Sequence, residues 1–236
     1  MKGRLFLIPT LIADETTQAA IPVTVREVVK GIDYFLCENA RSARRFIGGL
    51  KVHSSIEAIR FELLNKDTRE GDLSALFEPL HAGKDAGVLS ESGCPGVADP
   101  GALAVRYAHD HAIRVVPLVG PSSILLALAA SGMNGQQFAF HGYLPVNAQK
   151  ATVLIKKLEQ ESQKKKQTQI FIETPYRNNA LLGHFLAALR PDSTLCVACN
   201  LTSPEEKIIS RRVADWKKQP ETFPKAPAVF LFLAAH

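Results

Sequence analysis

Short apolar runs alternate with amphipathic stretches along most of the chain. In the first half, the apolar runs Arg4–Ile8, Tyr34–Cys37 and 87–89 predict buried strands. The stretches Val23–Lys30 and 102–109 carry apolar residues at helical spacing, and they predict helices between those strands. This alternation is typical of a mostly parallel sheet covered by helices, so the sequence predicts an α/β fold. The remaining predicted elements of this half are a helix at 73–81 and a strand at 113–118.

A second set of elements begins after residues 120–123, where proline and serine stand at helix-start positions. The predicted helices are 124–130, ended by Gly132, then 152–165 and 177–189, and the predicted strands are 138–144, 169–172, 194–198 and Ala228–Leu233. No internal repeat and no flexible linker interrupts the chain. We therefore expect two domains in close contact, residues 1–117 and 118–236.

The composition is that of an ordinary globular protein. Of the 236 residues, 46% are hydrophobic and 22% are charged, which excludes a fibrous or largely disordered chain. No apolar run approaches the roughly 18 residues that span a bilayer, and Pro9 interrupts the apolar start of the chain. We therefore expect a soluble, cytoplasmic protein without membrane contact. The net charge of +5 permits RNA as a partner but does not require it.

Cysteine and histidine residues give little indication of a metal site. Cys196 and Cys199 have a suggestive spacing, but they lie in a predicted strand, where residues i and i+3 point to opposite faces. His109 and His111 are close in sequence, yet at i and i+2 on a helix they do not face one another. We expect no metal and no disulfide scaffold.

The densest cluster of glycine, proline and small residues is 90–101, directly after the strand at 87–89. In open α/β sheets, ligands bind beyond the carboxyl ends of strands, where glycine lets the backbone come close to them. A tight strand-to-helix turn is the alternative. Because a loop with three glycines and two prolines is longer than such a turn needs, the sequence favours a ligand-binding loop.

A second cluster, 117–123, again joins a strand to a helix. It offers backbone amides and the hydroxyls of Ser122 and Ser123 at a helix N-terminus. A helix cap without a ligand explains the same residues equally well. The expected position where the two domains meet favours a ligand contact.

Several common chemistries are excluded from first place because their motifs do not occur. The sequence contains no GxGxxG, no GxxxxGKS or GKT, no HExxH and no GxSxG. The usual dinucleotide-binding, P-loop, zinc-protease and serine-hydrolase interpretations are therefore not favoured.

Six segments, taken in order, resemble the tetrapyrrole methylase superfamily of S-adenosylmethionine-dependent methyltransferases. Within it they resemble the ribosomal RNA small subunit methyltransferase I branch, which methylates the 2′-hydroxyl of a cytidine ribose. One segment alone would be a weak signal, but six in the family's order and at nearly its spacing are specific. The segments are Ile8-Pro-Thr10, Glu38-Asn-Ala-Arg41 with Arg44 and Arg45, 90–101, 117–123, Phe140-His-Gly-Tyr-Leu-Pro145 and Phe171-Ile-Glu-Thr-Pro-Tyr-Arg177.

The resemblance implies two α/β/α domains of the tetrapyrrole methylase type, with the cofactor cleft between them, and a homodimer. It implies S-adenosylmethionine as the cofactor. Many of the cofactor contacts are expected through backbone groups. Carried over position by position, they are Leu11, Gly93, Cys94, Val97, Ser122, Ser123, Glu173 and Leu201.

A ribose hydroxyl is a poor nucleophile, so a general base is expected to assist it. The carboxylates beside the predicted cleft are Glu38, Glu91, Asp99 and Glu173, of which Glu38 and Glu91 are our catalytic candidates. Loop hydrogen bonding or helix capping is the alternative role of each. For RNA, Arg41, Arg44 and Arg45 fall at i, i+3 and i+4 on one helical face, and Arg177 joins them as a substrate-binding candidate.

The chain departs from the family pattern in three segments, one of which reads Thr174-Pro-Tyr-Arg177 where the branch has Ser-Pro-His-Arg. After Ile8-Pro-Thr10 it reads Leu11-Ile-Ala-Asp-Glu, where the branch has a glycine and an asparagine, and the loop at 90–95 reads Ser-Glu-Ser-Gly-Cys-Pro where the branch has Ser-Asp-Ala-Gly-Thr-Pro. Two other functions therefore stay open. One is methylation of a tetrapyrrole or another small molecule, and the other is non-catalytic RNA binding.

The lysine-rich segment 156–166 lies outside all six motifs. Its five lysines would suit RNA, but basic runs alone specify little. We interpret this segment as a solvated helix end.

Overall fold

The computed structural model describes residues 1–235 and contains two five-stranded sheets, one in each half of the chain. The chain divides between Ser122 and Ser123 into two units, Met1–Ser122 and, within the described residues, 123–235. Both units combine strands and helices, which confirms the α/β prediction. Among the described residues, no helix has the length and apolar character needed to cross a membrane.

In the first unit, the predicted strands and helices occur in their predicted order, and a strand at Arg60–Leu63 and a short helix at Thr17–Ala20 occur in addition. A 3-10 turn also occurs at Glu70–Asp72. The strands are β1 (Arg4–Ile8), β2 (Tyr34–Cys37), β3 (Arg60–Leu63), β4 (Ala86–Leu89) and β5 (Arg114–Pro117); the helices are α1 (Thr17–Ala20), α2 (Val23–Lys30), α3 (Ala40–Leu50), α4 (Leu73–Leu76), α5 (Glu78–His81) and α6 (Gly101–Asp110).

The first sheet is parallel throughout, in the order β3-β2-β4-β1-β5. Its inner strands β2 and β4 are buried at every position, as expected for strands covered by helices on both faces. One apolar cluster, with Phe6 and Phe35, covers one face, and a second, with Leu5 and Phe77, covers the other. The predicted helix at 73–81 is instead the two short helices α4 and α5, because Pro79 cannot donate a backbone hydrogen bond.

In the second unit, the predicted elements occur in their predicted order, most of them with shifted bounds, and a strand at Lys207–Arg212 and a helix at Val213–Lys218 occur in addition. The strands are β6 (Phe138–Phe140), β7 (Thr168–Glu173), β8 (Thr194–Cys199), β9 (Lys207–Arg212) and β10 (Ala228–Leu233); the helices are α7 (Ser123–Ser131), α8 (Ala148–Lys165), α9 (Asn178–Ala188) and α10 (Val213–Lys218). The predicted strand at 138–144 stops at Phe140, and Gly142 then has a positive φ of 67°. Helix α8 begins earlier than predicted because the side chain of Asn147 caps it by accepting the Lys150 amide.

The second sheet is mixed, in the order β6-β7-β10-β8-β9. β6 is parallel to β7, while β10 runs antiparallel to both β7 and β8, and β9 antiparallel to β8. The mostly parallel arrangement expected from the sequence therefore does not extend to this sheet. An apolar run predicts burial on both faces of a strand but not the strand's direction. The main core of this unit includes Phe171, Phe185, Trp216 and Phe230.

Candidate functional site

Four loops meet along one edge of the first sheet. Because β1, β2, β4 and β5 are parallel, the segments that follow them all leave from the carboxyl edge. These segments contain Pro9 to Leu11 after β1, Glu38 and Asn39 after β2, residues 90–100 after β4 and residues 118–122 after β5. Two of the six motif segments begin in these loops, and two more reach them from the last residues of β1 and β5. The topology thus gathers residues that are far apart in sequence.

Gly93 joins the loop after β4 to the loop after β1. Its carbonyl oxygen accepts the Thr10 amide at 2.9 Å, and the Ser90 hydroxyl lies 3.2 Å from the same oxygen. The φ of Gly93 is 73°, in the left-handed region that favours glycine. This turn, in which Gly93 is buried, therefore ties the long loop to the segment that leads into Leu11.

The loop after β5 packs against the loops that follow β1 and β4. Gly120 approaches Pro9 so closely that a Cβ atom on Gly120 would lie 2.2 Å from the proline ring. The thiol of Cys94 donates to the Pro121 carbonyl oxygen over 3.4 Å. Burial, and then the negative charge of Asp99, raise the pKa of that thiol, so Cys94 stays neutral at physiological pH.

Asp99 shapes the far end of the long loop. Its Oδ1 accepts the amides of Gly96 and Gly101 at 2.7 and 2.8 Å. Burial raises the pKa of Asp99, and the two amide hydrogen bonds partly oppose that rise. Its Oδ2 is buried and has no hydrogen-bond partner among residues 1–235. Asp99 therefore has a structural role in the turn and one polar atom left unsatisfied.

A cleft of about 350 Å³ opens beside these loops. It lies between the segment after β1, helix α3 and the start of the loop after β4. The lining is part polar and part apolar. Its residues are Thr10, Leu11, Asp14, Glu15, Thr17, Ser42, Ala43, Arg45, Phe46, Gly49, Ser90 and Glu91.

The carboxylate of Glu38 is hydrogen-bonded to the backbone of Glu91, which lines this cleft. Oε2 of Glu38 accepts the backbone amide of Glu91 at 3.2 Å, and Oε1 of Glu91 lies 3.4 Å from the hydroxyl of Ser42. Burial is the main cause that raises the pKa of the Glu38 carboxyl. The hydrogen bond from Glu91 opposes this rise, and the charges of Asp99 and Glu91 add to it. Glu38 is half-buried, whereas Glu91 is exposed.

The three arginines of α3 extend in different directions. Arg45 lines the cleft and lies 3.6 Å from Asp14, with both side chains largely exposed. The guanidinium of Arg44 instead lies over the Phe61 ring, 5.3 Å from its centroid. Arg41 is exposed at the helix start, where the Asn39 side chain accepts its amide. Of the three, Arg45 is the one that faces the cleft.

In the second unit, Glu173 is the last residue of β7, and Leu201 follows β8, which ends at the same edge. β7 and β8 both run antiparallel to β10, and Glu173 and Cys199 both pair with Ala228. The carboxylate of Glu173 is buried, accepts the amide and the hydroxyl of Thr174, and pairs with Arg177 at 3.4 Å. Arg177 is thus held over its own loop, and Leu201 is buried.

The remaining predicted residues lie at the ends of these segments. Val97 is exposed in the long loop, Ser122 ends the first unit, and Ser123 begins α7 in the second. The sequence alone did not single out Ser42, Asp14 or Thr17, which line the cleft, because none belongs to a recognisable motif. Within residues 1–235, no group of three or more His, Cys, Asp or Glu side chains could hold a metal ion.

Known proteins with similar sequence or structure point to one family. A profile of the family described as Tetrapyrrole (Corrin/Porphyrin) Methylases matches residues 18–216. The ribosomal RNA small subunit methyltransferase I of Escherichia coli O157:H7 is 29% identical over 98% of this chain and 77% of its own length. The protein of that name from Bacillus subtilis (strain 168) is 31% identical over 90% of this chain and 68% of its own length. Among solved structures, the methyltransferase CobJ matches with a TM-score of 0.63 at 18% identity, covering 99% of this chain and 95% of that one.

Proposed function

Because the chain belongs to the tetrapyrrole methylase family, in its ribosomal RNA small subunit methyltransferase I branch, we propose that it is an S-adenosylmethionine-dependent methyltransferase of small-subunit ribosomal RNA. One observation in the structure carries the proposal. The Gly93 turn, the Glu38 and Glu91 pair and Arg45 lie around one sheet edge and its cleft. We also propose that the two structural units correspond to the domains expected at 1–117 and 118–236.

The residues at the sheet edge fit a nucleoside sulfonium cofactor. A cleft of about 350 Å³ lies within the size range of small-molecule sites, and its lining offers both apolar and polar groups. Gly93 holds the long loop in place at this edge, because its positive φ favours glycine and its carbonyl oxygen accepts the Thr10 amide. Of the expected cofactor contacts, Leu11 lines this cleft. We propose that Gly93, Cys94, Val97 and Ser122, in the neighbouring loops of the first unit, also contact the cofactor, as do Ser123, Glu173 and Leu201 of the second unit.

When bound, S-adenosylmethionine supplies a methyl group that an acceptor oxygen takes up by in-line displacement. The protein's own contribution is to orient that oxygen and to accept its proton. Glu38 is suited to this task because its raised pKa makes it a stronger base than an ordinary carboxylate. The hydrogen bond from the Glu91 amide fixes the direction of the Glu38 carboxylate.

The proposed acceptor is the 2′-hydroxyl of a cytidine ribose. The family branch and the net charge of +5 support an RNA substrate, and Arg45 offers a phosphate contact at the cleft itself. Arg41, Arg44 and Arg177 are proposed as further substrate contacts. Action on ribosomal RNA would place the protein in the cytoplasm.

A homodimer is the further expectation for the assembly. Helix α7 buries Ala127 and Leu128 but exposes Leu126, Ala129 and Ala130. An apolar helix face left open to water is a surface that a second copy of the chain would cover. We propose α7 as part of that contact.

The test is a calorimetric titration with S-adenosylmethionine and its demethylated product, followed by tritium transfer to purified 16S ribosomal RNA. We expect micromolar or tighter binding and a labelled 2′-O-methylcytidine after nuclease digestion. Gly93→Ala should weaken cofactor binding because alanine is strained at this φ, whereas Gly183→Ala, at an open helical position, should not. Absence of binding in the wild-type protein would contradict the enzymatic function, and a label found only on tetrapyrroles would contradict the RNA substrate.

A further inference from the structure

Three lysines form a straight line along the solvent face of helix α8. Lys150, Lys157 and Lys164 are spaced by seven residues, so successive members lie about 10 Å apart on nearly the same side of the helix. All three are exposed. We call these residues the lysine stripe. The sequence alone predicts a solvated helix end at 156–166. Lys150 lies outside the predicted helix, so the sequence does not place it in line with these lysines.

The lysine stripe has no acidic counterpart. None of its members forms an ion pair with any residue in 1–235. Of the two glutamates in the helix, Glu159 is buried and accepts the Arg190 amide and the Ser193 hydroxyl, and Glu161 pairs with Lys165. The positive potential of this face is therefore not neutralised within the protein.

Helix stability does not account for the stripe. Positive charges in the last turn of a helix interact favourably with the helix dipole, which accounts for the positions of Lys164 and the neighbouring Lys165. Lys150 lies in the first turn, where a positive charge opposes the same dipole. Its position is unfavourable for the isolated helix, so an external anion is the better explanation.

The surface between the lysines is shallow and apolar. Val153 lies between Lys150 and Lys157 with 69% of its surface exposed, and Gln149 and Leu154 complete a depression of about 330 Å³. A row of cations about 20 Å long matches a polymer whose negative charges repeat along its length. A nucleic acid backbone is such a polymer, and the protein's net charge of +5 favours its approach.

We propose that the lysine stripe binds the phosphate backbone of ribosomal RNA and docks the second unit on the substrate. This inference rests on the proposed function and adds to it a substrate-binding surface on α8. The contact is with phosphates, so it supplies affinity and orientation but no choice of nucleotide.

The test compares two triple variants by fluorescence anisotropy with labelled 16S ribosomal RNA between about 50 and 300 mM KCl, roughly a sixfold range of salt concentration. The stripe variant is Lys150→Gln, Lys157→Gln, Lys164→Gln, and the matched control is Lys30→Gln, Lys66→Gln, Lys217→Gln, which removes three exposed lysines elsewhere. Glutamine keeps the helix propensity of lysine, so both should fold. We expect the stripe variant to bind about tenfold more weakly and its salt slope to fall by about 2 to 3, while the control stays within about twofold.

A lysine-to-arginine stripe variant should restore both affinity and slope. In the methylation assay, the stripe variant should raise KM for ribosomal RNA and leave kcat and cofactor affinity unchanged. A salt slope equal to that of the wild-type protein, or an equal loss in the control, would overturn the proposal. The proposal would also be overturned if the stripe variant bound RNA as the wild-type protein does but no longer bound vesicles of phosphatidylcholine and phosphatidylglycerol that the wild-type protein binds. Failure of the wild-type protein to bind the cofactor or methylate RNA would instead count against the proposed function.

Discussion

At the level of single residues, Glu38 and Glu91 illustrate how surroundings separate two like side chains. Both belong to segments at the sheet edge, but Glu38 is half-buried and receives one amide, whereas Glu91 is exposed and meets a hydroxyl. Burial disfavours a charged carboxyl and raises the pKa of Glu38. The sequence predicts both residues near the cleft. Their different burial in the structure is what makes Glu38 the stronger base.

Glu38→Gln should reduce methyl transfer by about 10²-fold or more while cofactor affinity stays nearly unchanged, because the amide oxygen can still accept from Glu91 but cannot take a proton. A general base must be deprotonated to act. The kcat/KM of the wild-type protein should therefore be maximal above the raised pKa of Glu38 and should fall as the pH drops through that pKa. The variant should lack that acid limb. The measurement is the pH profile of both proteins, with Glu91→Gln as the matched control that keeps the limb. An unchanged profile in Glu38→Gln would contradict the assignment.

Arg44 and Arg45 are neighbours in sequence with different environments. Arg45→Gln should weaken RNA binding and reduce the salt slope by about 1, because its guanidinium lines the cleft. Arg44→Gln should change the slope less, since Arg44 packs over Phe61. Filter binding at several KCl concentrations compares the two. Equal effects on the slope would show that the structural separation of these arginines has no consequence for RNA.

At the level of secondary-structure elements, β4 is constrained by its neighbours in the parallel sheet. A Cβ atom on Gly87 would lie 2.5 Å from Cδ1 of Ile8 and 2.7 Å from Cδ1 of Phe35. These contacts come from β1 and β2 on either side of β4. The glycine therefore permits the close packing that places the long loop at the sheet edge.

Gly87→Ala should lower the free energy of unfolding by about 1 to 3 kcal/mol, because the added methyl group forces Ile8 and Phe35 to move. Gly183→Ala is the matched control. No atom lies within 4 Å of its added Cβ, and alanine favours the helix α9, so this variant should be more stable by up to about 1 kcal/mol. Urea denaturation followed by circular dichroism measures both. Equal stability of the two variants would contradict the packing argument.

The elements that the sequence pattern does not predict are the edge strands β3 and β9 and the short helices α1 and α10. β3 and β9 each lie at the end of a sheet, and their burial is partial and irregular. Charged residues such as Glu62 in β3 and Arg211 in β9 interrupt their apolar pattern, as is common at sheet edges. The central strands β1, β2 and β10 were predicted with the observed bounds, since their burial makes them continuous apolar runs.

For the whole molecule, the exposed face of α7 predicts the assembly. Leu126→Asp should shift the protein from a mass of twice 25.8 kDa to 25.8 kDa, because a buried unpaired carboxylate is costly at an apolar contact. Val153→Asp, an exposed aliphatic position on α8, is the matched control and should leave the mass unchanged. Light scattering after gel filtration measures the mass. A wild-type protein that elutes as a monomer would contradict the expected homodimer.

Local pattern was sufficient for much of this protein. Apolar periodicity gave the α/β class and most elements, because burial of a strand or helix face leaves a repeat in the sequence. The six motif segments gave the family and the loops that matter, since glycine, proline and small residues are needed wherever backbone approaches a ligand.

The tertiary structure decided which of those segments meet and how. Strand direction and order depend on hydrogen bonds between distant residues, so neither the antiparallel β10 nor the contact between Gly93 and Thr10 has a local signature. Likewise, burial raises the pKa of Glu38, and the ring of Phe61 lies under the guanidinium of Arg44 but not under that of Arg45. Because α8 begins at Ala148, Lys150 lies in the same helix as Lys157. Each of these differences arises from long-range packing, which periodicity along the chain does not record.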